Sequence, residues 1–189
     1  MDVPWAFGRY LPSPFVDDRP LGMEIDLLVV HAISLPPGQF GGSHVDNLFL
    51  GRLDPLQHAS FRDVANMRVS AHFFVDRSGV VTQYAPVRKR AWHAGVSRWH
   101  GREACNDNSV GVELEGANGI PFEPLQYLRL ATILRTLQQR LPYLCDDHVA
   151  GHQEIAPGRK WDPGPGFEWD RFADVLQRTG PHPTWQPVW

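Results

Sequence analysis

The sequence predicts a single domain of the α/β or α+β class, with a core over residues 24–178. Its 189 residues are close to the roughly 150 residues of one typical domain. Hydrophobic residues make up 42% and charged residues 21% of the chain, a composition typical of globular proteins rather than disordered ones. Strand-like segments alternate with helix-like segments, and no repeat or linker divides them, so one mixed domain is expected.

The first third of the chain predicts a lead-in, a buried strand and a long loop. Prolines recur in residues 1–23 and predict an extended segment on the surface. Residues 25–31 are mainly aliphatic and β-branched up to His31, which indicates a strand buried on both faces. Residues 32–56 are rich in Pro and Gly and predict a loop. Structureless loops longer than about 15 residues usually carry a function.

Short elements are predicted next. Residues 60–67 indicate a short helix with Ser60 as its N-cap. Residues 69–76 and 80–84 predict the two strands of a hairpin, because a turn sequence ending in glycine separates them.

A strand is predicted over residues 109–115, where apolar residues alternate with glycine and glutamate. Because successive side chains of a strand point to opposite faces, this alternation places Glu113 and Glu115 on the same face.

The last third predicts two helices and a short strand. The pattern predicts a helix over residues 124–141, which starts with a proline at its first position and is stopped by Pro142. A strand over 148–152 and a terminal helix over 168–178 follow, and the prolines of residues 179–189 predict an irregular tail.

Composition excludes several classes of protein. The chain has 18 Lys+Arg against 21 Asp+Glu, a net charge of −3, which argues against a nucleic-acid binder. No apolar run approaches the roughly 20 residues of a membrane span. Two cysteines, Cys105 and Cys145, predict reduced thiols rather than a disulfide framework. The N-terminus shows no basic segment followed by an apolar one, so we expect a cytoplasmic protein.

Three residues could bind a catalytic metal ion. His31 ends the first buried strand, His152 ends a later one, and Asp162 follows ten residues further on. Two histidines and one carboxylate, with a fourth position left for water, form a known catalytic zinc set. Since 121 residues separate the two histidines, spacing alone leaves three unrelated polar residues as the alternative.

Charged residues near these positions have two interpretations. Lys160 lies two residues before Asp162, so in an extended segment both point the same way; it is either an oxyanion stabiliser or a solvated surface lysine. Glu113 and Glu115 are either the wet face of a strand or a source of a general base. Trp92 and the adjacent His93 suit either an aromatic floor for a sugar or a core position.

Taken together, five ordered blocks resemble a known enzyme family over about residues 10–178. The blocks are LVVHAISLPPGQFGG (28–42), RVSAHF (68–73), KRAWHAGVS (89–97), CNDNSVGVELEG (105–116) and GHQEIAPGRKWDPGP (151–165). They resemble the type 2 zinc-dependent N-acetylmuramoyl-L-alanine amidases, and among these the cytoplasmic enzymes that act on 1,6-anhydro-N-acetylmuramoyl-L-alanine.

The resemblance implies a fold, a reaction and a set of roles. The fold, shared with phage amidases and peptidoglycan-recognition proteins, is a central mixed sheet flanked by helices. The reaction is zinc-dependent hydrolysis of the amide between the lactyl group of anhydro-N-acetylmuramic acid and L-alanine, during cell-wall recycling. The implied roles are zinc ligands for His31, His152 and Asp162, the catalytic carboxylate for Glu113, oxyanion stabilisation for Lys160, and contact with or support of the substrate for Trp92, His93, Arg68 and Glu115.

Departures from the family pattern affect expectations about the substrate. Ala32 and Ala104 replace an asparagine and an arginine, which puts the stem-peptide preference in question, and Ala71 replaces a tyrosine of phage relatives. We expect a monomer acting on soluble anhydro-muropeptides, without nucleic acid or membrane. An exported amidase acting on intact peptidoglycan and an inert recognition module are the alternatives.

Overall fold

The fold is built around a six-stranded mixed sheet, which confirms the predicted mixed α/β class. The computed structural model describes residues 8–189, so the first seven residues of the predicted lead-in lie outside the described part. The strand order across the sheet is β1-β5-β4-β9-β3-β10. In chain order the elements are β1 (Gly8–Tyr10), β2 (Val16–Asp18), β3 (Leu27–Ile33), α1 (His44–Phe49), a 3₁₀ turn (Ala59–Phe61), β4 (Phe73–Val75), β5 (Val81–Gln83), β6 (Lys89–Ala91), β7 (Arg98–Trp99), β8 (Arg102–Glu103), β9 (Ser109–Glu115), α2 (Pro124–Gln138), β10 (Val149–Gly151), α3 (His152–Ile155) and α4 (Trp169–Arg178).

β3 lies in the interior of the sheet. It pairs in parallel with β9 on one side and β10 on the other. Leu28 and Val30 have no exposed surface, as expected for a strand of a parallel sheet that is covered on both faces. This burial explains why the aliphatic run predicted the strand; the structure continues it through His31 to Ile33.

Helices α2 and α4 cover one face of the sheet. The alternation predicted for β9 is present, since Val112 and Leu114 point into the main core while Glu113 lies on the opposite face. The core side chains that meet there are Val110, Val112 and Leu114 of β9, Leu130 and Leu134 of α2, and Phe172 and Leu176 of α4. The opposite face of β3 carries Leu27 and Val29, which pack in a smaller apolar cluster, followed by His31. The opposite face of β9 carries Ser109, Gly111, Glu113 and Glu115.

α2 begins as predicted and ends earlier. Pro124 occupies its first turn, and Glu123 and Gln126 form a reciprocal capping box, which satisfies otherwise unpaired N–H groups. The helix ends at Gln138 rather than at residue 141, because the following residues turn back on the Leu137 carbonyl ahead of a proline that disfavours helical backbone. No helix within residues 8–189 is long and apolar enough to cross a membrane.

The predicted lead-in is part of the fold rather than a surface wrapping. β1 pairs in parallel with β5 at the sheet edge, and β2 pairs antiparallel with β6. Arg19 fastens this segment to the body of the protein. Its guanidinium donates hydrogen bonds to the carbonyls of Asn106, Asp107, Val87 and Ser109, at 2.8–3.1 Å.

Two predictions between β3 and β4 need correction. The loop predicted over residues 32–56 contains α1, whose Leu48 and Phe49 are buried. The helix predicted over residues 60–67 is only the 3₁₀ turn, and its N-cap is His58, whose ring accepts a hydrogen bond from the Ser60 amide. Apolar contacts formed after folding decide these short segments, since isolated short helices have little stability of their own.

The other predicted elements are present with shorter bounds. The hairpin is formed by the antiparallel pair β4 and β5, the strand predicted over 148–152 is β10, and the terminal helix is α4. Residues 179–189 have no regular element. Trp185 of this tail is nevertheless only 3% exposed and packs edge-on against Phe73, so the tail closes part of the core.

Candidate metal centre and catalytic cavity

Three side chains from distant parts of the chain meet at the carboxyl edge of the sheet. His31 lies on β3, His152 follows β10 directly, and Asp162 lies in the loop after α3. Because β3 and β10 are parallel neighbours, the ends of both strands open onto the same edge, where α/β proteins place their sites. His31 Nδ1 lies 2.9 Å from His152 Nδ1 and 3.2 Å from Asp162 Oδ2, and His152 Nδ1 lies 3.0 Å from Asp162 Oδ2.

The donor set and its spacing fit a small divalent cation. His152 Nε2 lies 3.1 Å from the Ala94 carbonyl, which can only accept, so Nε2 carries a hydrogen, and Nδ1 is the nitrogen that can offer a lone pair to a metal ion. Three electron-pair donors separated by 2.9–3.2 Å repel one another unless a cation lies between them. A tetrahedral zinc site with ligand bonds of about 2.0–2.1 Å has ligand edges of about 3.3 Å. The three residues, all buried, can therefore hold a metal ion.

Electrostatics favour the ligand form of these groups. Burial lowers the pKa of His31 to about 4, so the ring is neutral at physiological pH. Burial alone raises the pKa of the Asp162 carboxyl, but its interactions with His152 and His31 outweigh that effect and hold the pKa below its usual range. A neutral imidazole at His31 and a carboxylate at Asp162 are the protonation states that metal binding requires.

The candidate metal centre opens into a cavity of about 740 Å³. This volume lies in the range of ligand pockets. The cavity walls combine the three candidate ligands with polar and aromatic groups from the predicted site. The lining includes His31, His152, Asp162, Glu113, Lys160, Trp92, His93, Ala32, Pro37, Gly38, Met67 and Trp161.

Glu113 is held next to the candidate ligands with part of its carboxylate unsatisfied. It is the register partner of His31 across β3 and β9. Its Oε2 is buried and accepts no hydrogen bond from any residue of the described chain. Burial raises the pKa of Glu113 well above its usual value, with a further contribution from the Asp162 charge. A carboxylate with a raised pKa is a stronger proton acceptor, as general-base catalysis requires.

Lys160 and Trp92 line the cavity, as predicted, and Arg68 lies beside it. Lys160 is an exposed residue two positions before Asp162. The Trp92 ring stacks on Phe15, with ring centroids 6.4 Å apart, and Arg68 Cζ lies 5.2 Å from the Trp92 ring centroid. Arg68 is therefore close enough to offer its charge to an anionic group at the cavity mouth.

The structure gives His93 and Glu115 different surroundings from those predicted. His93 lines the cavity, but its Nδ1 is 2.9 Å from His31 Nε2, so it lies behind a candidate ligand. Burial lowers its pKa well below the usual value. Glu115 is buried and its carboxylate accepts hydrogen bonds from the backbone amides of Gly41 and Arg77. Both oxygens of Glu115 thus accept from the main chain of two loops, and its support of the site stays a prediction.

The three alanines at departures from the family pattern fall in different places. Ala32 lines the cavity, so the space next to His31 is wider than an asparagine would leave. Ala104 adopts a positive φ of 57° and lines a separate shallow groove. Ala71 is fully buried and takes no part in the cavity.

Sequence reasoning missed three residues around the candidate ligands. Ser109 lies 3.2 Å from the far nitrogen of His93, Gly111 lies against the His93 ring, and Arg159 donates to the Ala94 carbonyl at 2.6 Å. Ser109 and Gly111 occur in the alternating pattern of β9, but their type alone does not indicate which side chain they meet. Only the tertiary arrangement identifies them.

Comparisons with known proteins agree with this geometry. A family model described as N-acetylmuramoyl-L-alanine amidase matches residues 21–165. The chain is 52% identical over 169 residues to the 1,6-anhydro-N-acetylmuramyl-L-alanine amidase AmpD of Salmonella typhimurium (strain SL1344), covering 89% of this chain and 90% of that one. A crystal structure of a Se-Met AmpD derivative superposes with a TM-score of 0.87 at 49% identity, over 90% of this chain and 95% of that one.

A solved complex is also similar. It contains the N-acetylmuramyl-L-alanine amidase AmiD from E. coli with the substrate anhydro-N-acetylmuramic acid-L-Ala-D-gamma-Glu-L-Lys, at a TM-score of 0.57 and 28% identity, covering 83% of this chain and 60% of that one. The match of the family model over most of the chain and the 52% identity confirm the resemblance that the five sequence blocks predict. This chain belongs to the N-acetylmuramoyl-L-alanine amidase family.

Proposed function

We propose that this protein hydrolyses the amide bond between the lactyl group of 1,6-anhydro-N-acetylmuramic acid and L-alanine in soluble muropeptides, with Zn²⁺ held by His31, His152 and Asp162. The observation that carries the proposal is the convergence of these three donors within 3.2 Å of one another, in one cavity with Glu113 and Lys160. The names of the relatives at about 50% identity supply the substrate.

The choice of zinc follows from the ligand types. Two imidazole nitrogens and one carboxylate oxygen, with room for a further ligand, match the donor set of catalytic zinc sites. When bound there, zinc would supply Lewis-acid polarisation of the scissile carbonyl and a water molecule of lowered pKa.

Glu113 is the proton carrier of the proposed reaction. Its carboxylate takes a proton from the attacking water and returns it to the alanine nitrogen as the amide bond breaks. Because Oε2 has no hydrogen-bond partner among residues 8–189, no hydrogen bond within the protein has to break before Oε2 accepts the proton. Burial also raises the pKa of Glu113, which favours proton uptake.

Lys160 stabilises the oxyanion that develops on the amide carbonyl. Its ammonium is a compact positive charge on a flexible stem, and its position on the cavity wall allows it to approach a substrate oxygen. A positioned donor of this kind contributes about 3–4 kcal/mol to catalysis in other hydrolases. Ala71 at the phage tyrosine position is buried, so the proposal uses no phenol.

The cavity walls account for binding of the remainder of the substrate. The half-buried Trp92 ring lines the cavity and offers an apolar surface to a sugar ring, and the charge of Arg68 suits a carboxylate of the stem peptide. The loop through Pro37 and Gly38 closes the same cavity. The proposal assigns the sugar and the peptide to these walls, with the scissile bond next to the candidate ligands.

The decisive experiment compares two substrates. The zinc-loaded protein is incubated with purified anhydro-muramoyl tripeptide and, separately, with intact sacculi, and products are followed by mass spectrometry. We expect release of the free peptide and anhydro-N-acetylmuramic acid from the soluble substrate, and much slower release from sacculi. Equal or faster release from sacculi supports the exported amidase, and binding without hydrolysis supports a recognition module. We also propose that the protein acts in the cytoplasm, and cell fractionation tests this location.

A further inference from the structure

A series of buried hydrogen bonds runs from a backbone carbonyl to the candidate ligand His31. The Ser109 hydroxyl donates to the Cys105 carbonyl, Ser109 Oγ lies 3.2 Å from His93 Nε2, and His93 Nδ1 lies 2.9 Å from His31 Nε2. Ser109 has no exposed surface and His31 is 1% exposed, so bulk water does not compete with these bonds.

The hydrogen bond from Ser109 to the Cys105 carbonyl determines which atom is the donor in every other bond of the series. A carbonyl oxygen can only accept, and a serine hydroxyl has a single proton to donate. Since Ser109 gives that proton to Cys105, its oxygen can only accept from His93, and His93 Nε2 must therefore carry a hydrogen. In the neutral ring Nδ1 of His93 is then an acceptor, so His31 Nε2 donates to it and His31 Nδ1 retains its lone pair.

We propose that Ser109 and His93 are positioning residues that hold His31 in the tautomer whose Nδ1 lone pair is directed at Asp162 and His152. The inference rests on the proposed metal centre and deepens it, because a ligating imidazole needs a partner on its other nitrogen to fix its tautomer and orientation. His152 obtains the same restraint directly from the Ala94 carbonyl. Both candidate ligands are thus oriented by the consecutive residues His93 and Ala94.

The backbone of residues 93 and 94 is itself held in place. The side-chain oxygen of Asn106 accepts hydrogen bonds from the amides of His93 and Ala94, at 3.1 and 2.8 Å. These two bonds restrain the stretch of backbone that carries both the His93 side chain and the Ala94 carbonyl. The partners of His31 and His152 therefore start from one restrained segment of main chain.

Strand β9 supplies Ser109 and also the space in which the His93 ring lies. Ser109, Gly111 and Glu113 lie on the same face of this strand. A Cβ atom built on Gly111 would lie 2.5 Å from Cγ of His93, so the ring of His93 rests against the glycine backbone. The absence of a side chain at position 111 is what allows His93 to reach His31.

Without the Ser109 hydroxyl, the tautomers of His93 and His31 should no longer be fixed. In Ser109→Ala, His93 Nε2 has no acceptor, and the ring can protonate Nδ1 instead. His31 would then have to carry its hydrogen on Nδ1, directed at the metal position. We expect Zn²⁺ affinity, measured by competition with a chromophoric chelator, to fall about 10- to 100-fold, the usual effect of losing such a partner. Ser109→Thr, which keeps the hydroxyl, should restore most of the affinity.

A matched control separates this effect from loss of stability. Ser13 is also buried, and its hydroxyl donates to the Phe49 carbonyl. Within residues 8–189 its oxygen accepts from the Phe15 amide and contacts no histidine. Ser13→Ala should lower the unfolding midpoint without changing Zn²⁺ affinity. Zn²⁺ affinity of Ser109→Ala equal to that of the wild type, in folded protein, would overturn the proposal.

A spectroscopic measurement keeps the test independent of any variant. Long-range ¹⁵N–¹H correlation spectra of the metal-free wild-type chain should show His93 protonated at Nε2 alone. Protonation at Nδ1 would contradict the proposed direction of the series. The two readouts of this test are the His93 tautomer and the Zn²⁺ affinity. Failure of the proposed amidase reaction would instead appear as absent hydrolysis by the zinc-loaded protein, so the two failures are distinguishable.

Discussion

His31 and Glu113 are direct register partners on the adjacent parallel strands β3 and β9. The candidate metal ligand and the candidate proton carrier are therefore joined through the hydrogen bonds of the sheet interior, not through a loop. Functional groups on regular elements keep their spacing better than groups on loops. The five predictions below test what this rigid pairing, and the segments fastened to it, contribute.

The first prediction concerns removal of metal. Dialysis against a strong chelator should abolish hydrolysis of anhydro-muramoyl tripeptide, and one equivalent of Zn²⁺ per chain should restore it, because the three converging donors form one site. The measurement is the initial rate together with metal content by mass spectrometry. Full activity at less than a few hundredths of an equivalent of any metal would contradict the mechanism.

The second prediction concerns turnover in Glu113→Gln. The amide keeps the shape of the side chain but cannot accept the proton, so kcat should fall about 10²- to 10⁴-fold while Zn²⁺ affinity stays within a few-fold of wild type. Glu24→Gln is the control, since Glu24 is an exposed residue outside the cavity. A kcat close to wild type in Glu113→Gln would remove Glu113 from the proposed role.

The third prediction concerns the pH dependence of stability in the metal-free chain. Burial raises the pKa of Glu113 in the folded protein above its value in the unfolded chain. The folded state then binds more protons between the two pKa values, so the free energy of unfolding decreases as pH rises through that interval. Glu113→Gln lacks this loss. Urea denaturation should show the variant more stable than wild type at pH 7, with the difference shrinking towards pH 4; a difference that grows as pH falls would contradict the sign.

The fourth prediction concerns Lys160→Met. Methionine keeps a comparable stem length and removes the charge, so kcat should fall about 10²- to 10³-fold, the cost of losing one oxyanion donor, with little change in KM. Lys89→Met is the matched control, because Lys89 is paired with Asp18 on β2 and does not line the cavity. Equal effects of the two substitutions would show that general charge, not position, matters.

The fifth prediction concerns the clamp formed by Arg19. Lysine at position 19 keeps the charge but cannot reach four carbonyl oxygens with one planar group. Arg19→Lys should lower the free energy of unfolding by about 2 kcal/mol or more, because buried acceptors lose their donors. Thermal denaturation measures this loss, and Arg62→Lys, at an exposed position, provides the comparison. An unchanged Tm would show that the hydrogen bonds of the Arg19 guanidinium to these four carbonyls contribute nothing to stability.

The sequence predicts those parts of the fold whose pattern is local. The alternation in β9 and the spacing of apolar residues in α2 each match the period of one element, and the short, β-branched run of β3 favours a strand by its length and composition. The sequence pattern singles out the candidate ligands His31 and His152 because each stands at the end of a predicted strand, but their grouping with Asp162 depends on the resemblance to a family. His31 and His152 are 121 positions apart, and a local sequence pattern cannot predict that two such distant residues meet.

The remaining features arise from contacts between distant segments. β1 and β2 are three residues long, and their partners β5 and β6 lie more than 70 positions away. Ser109 has an ordinary residue type for a strand, and its importance comes from the His93 ring 3.2 Å away. The alternation in β9 places Glu115 on the same face as Glu113, but it does not predict that the amides of Gly41 and Arg77 donate hydrogen bonds to the Glu115 carboxylate.

The carboxylate of Glu115 recognises main chain on both sides, through the amides of Gly41 and Arg77. Such an attachment does not depend on the side chains of the loop it holds. Gly41 adopts a positive φ of 79° and has open space around it. In the segment before it, Ser34, Pro37 and Gly38 line the cavity, and Leu35 packs in the core. Enzyme engineering could therefore vary residues 37–40 for other stem peptides, with Leu35 and Gly41 kept as the two points at which the segment is attached.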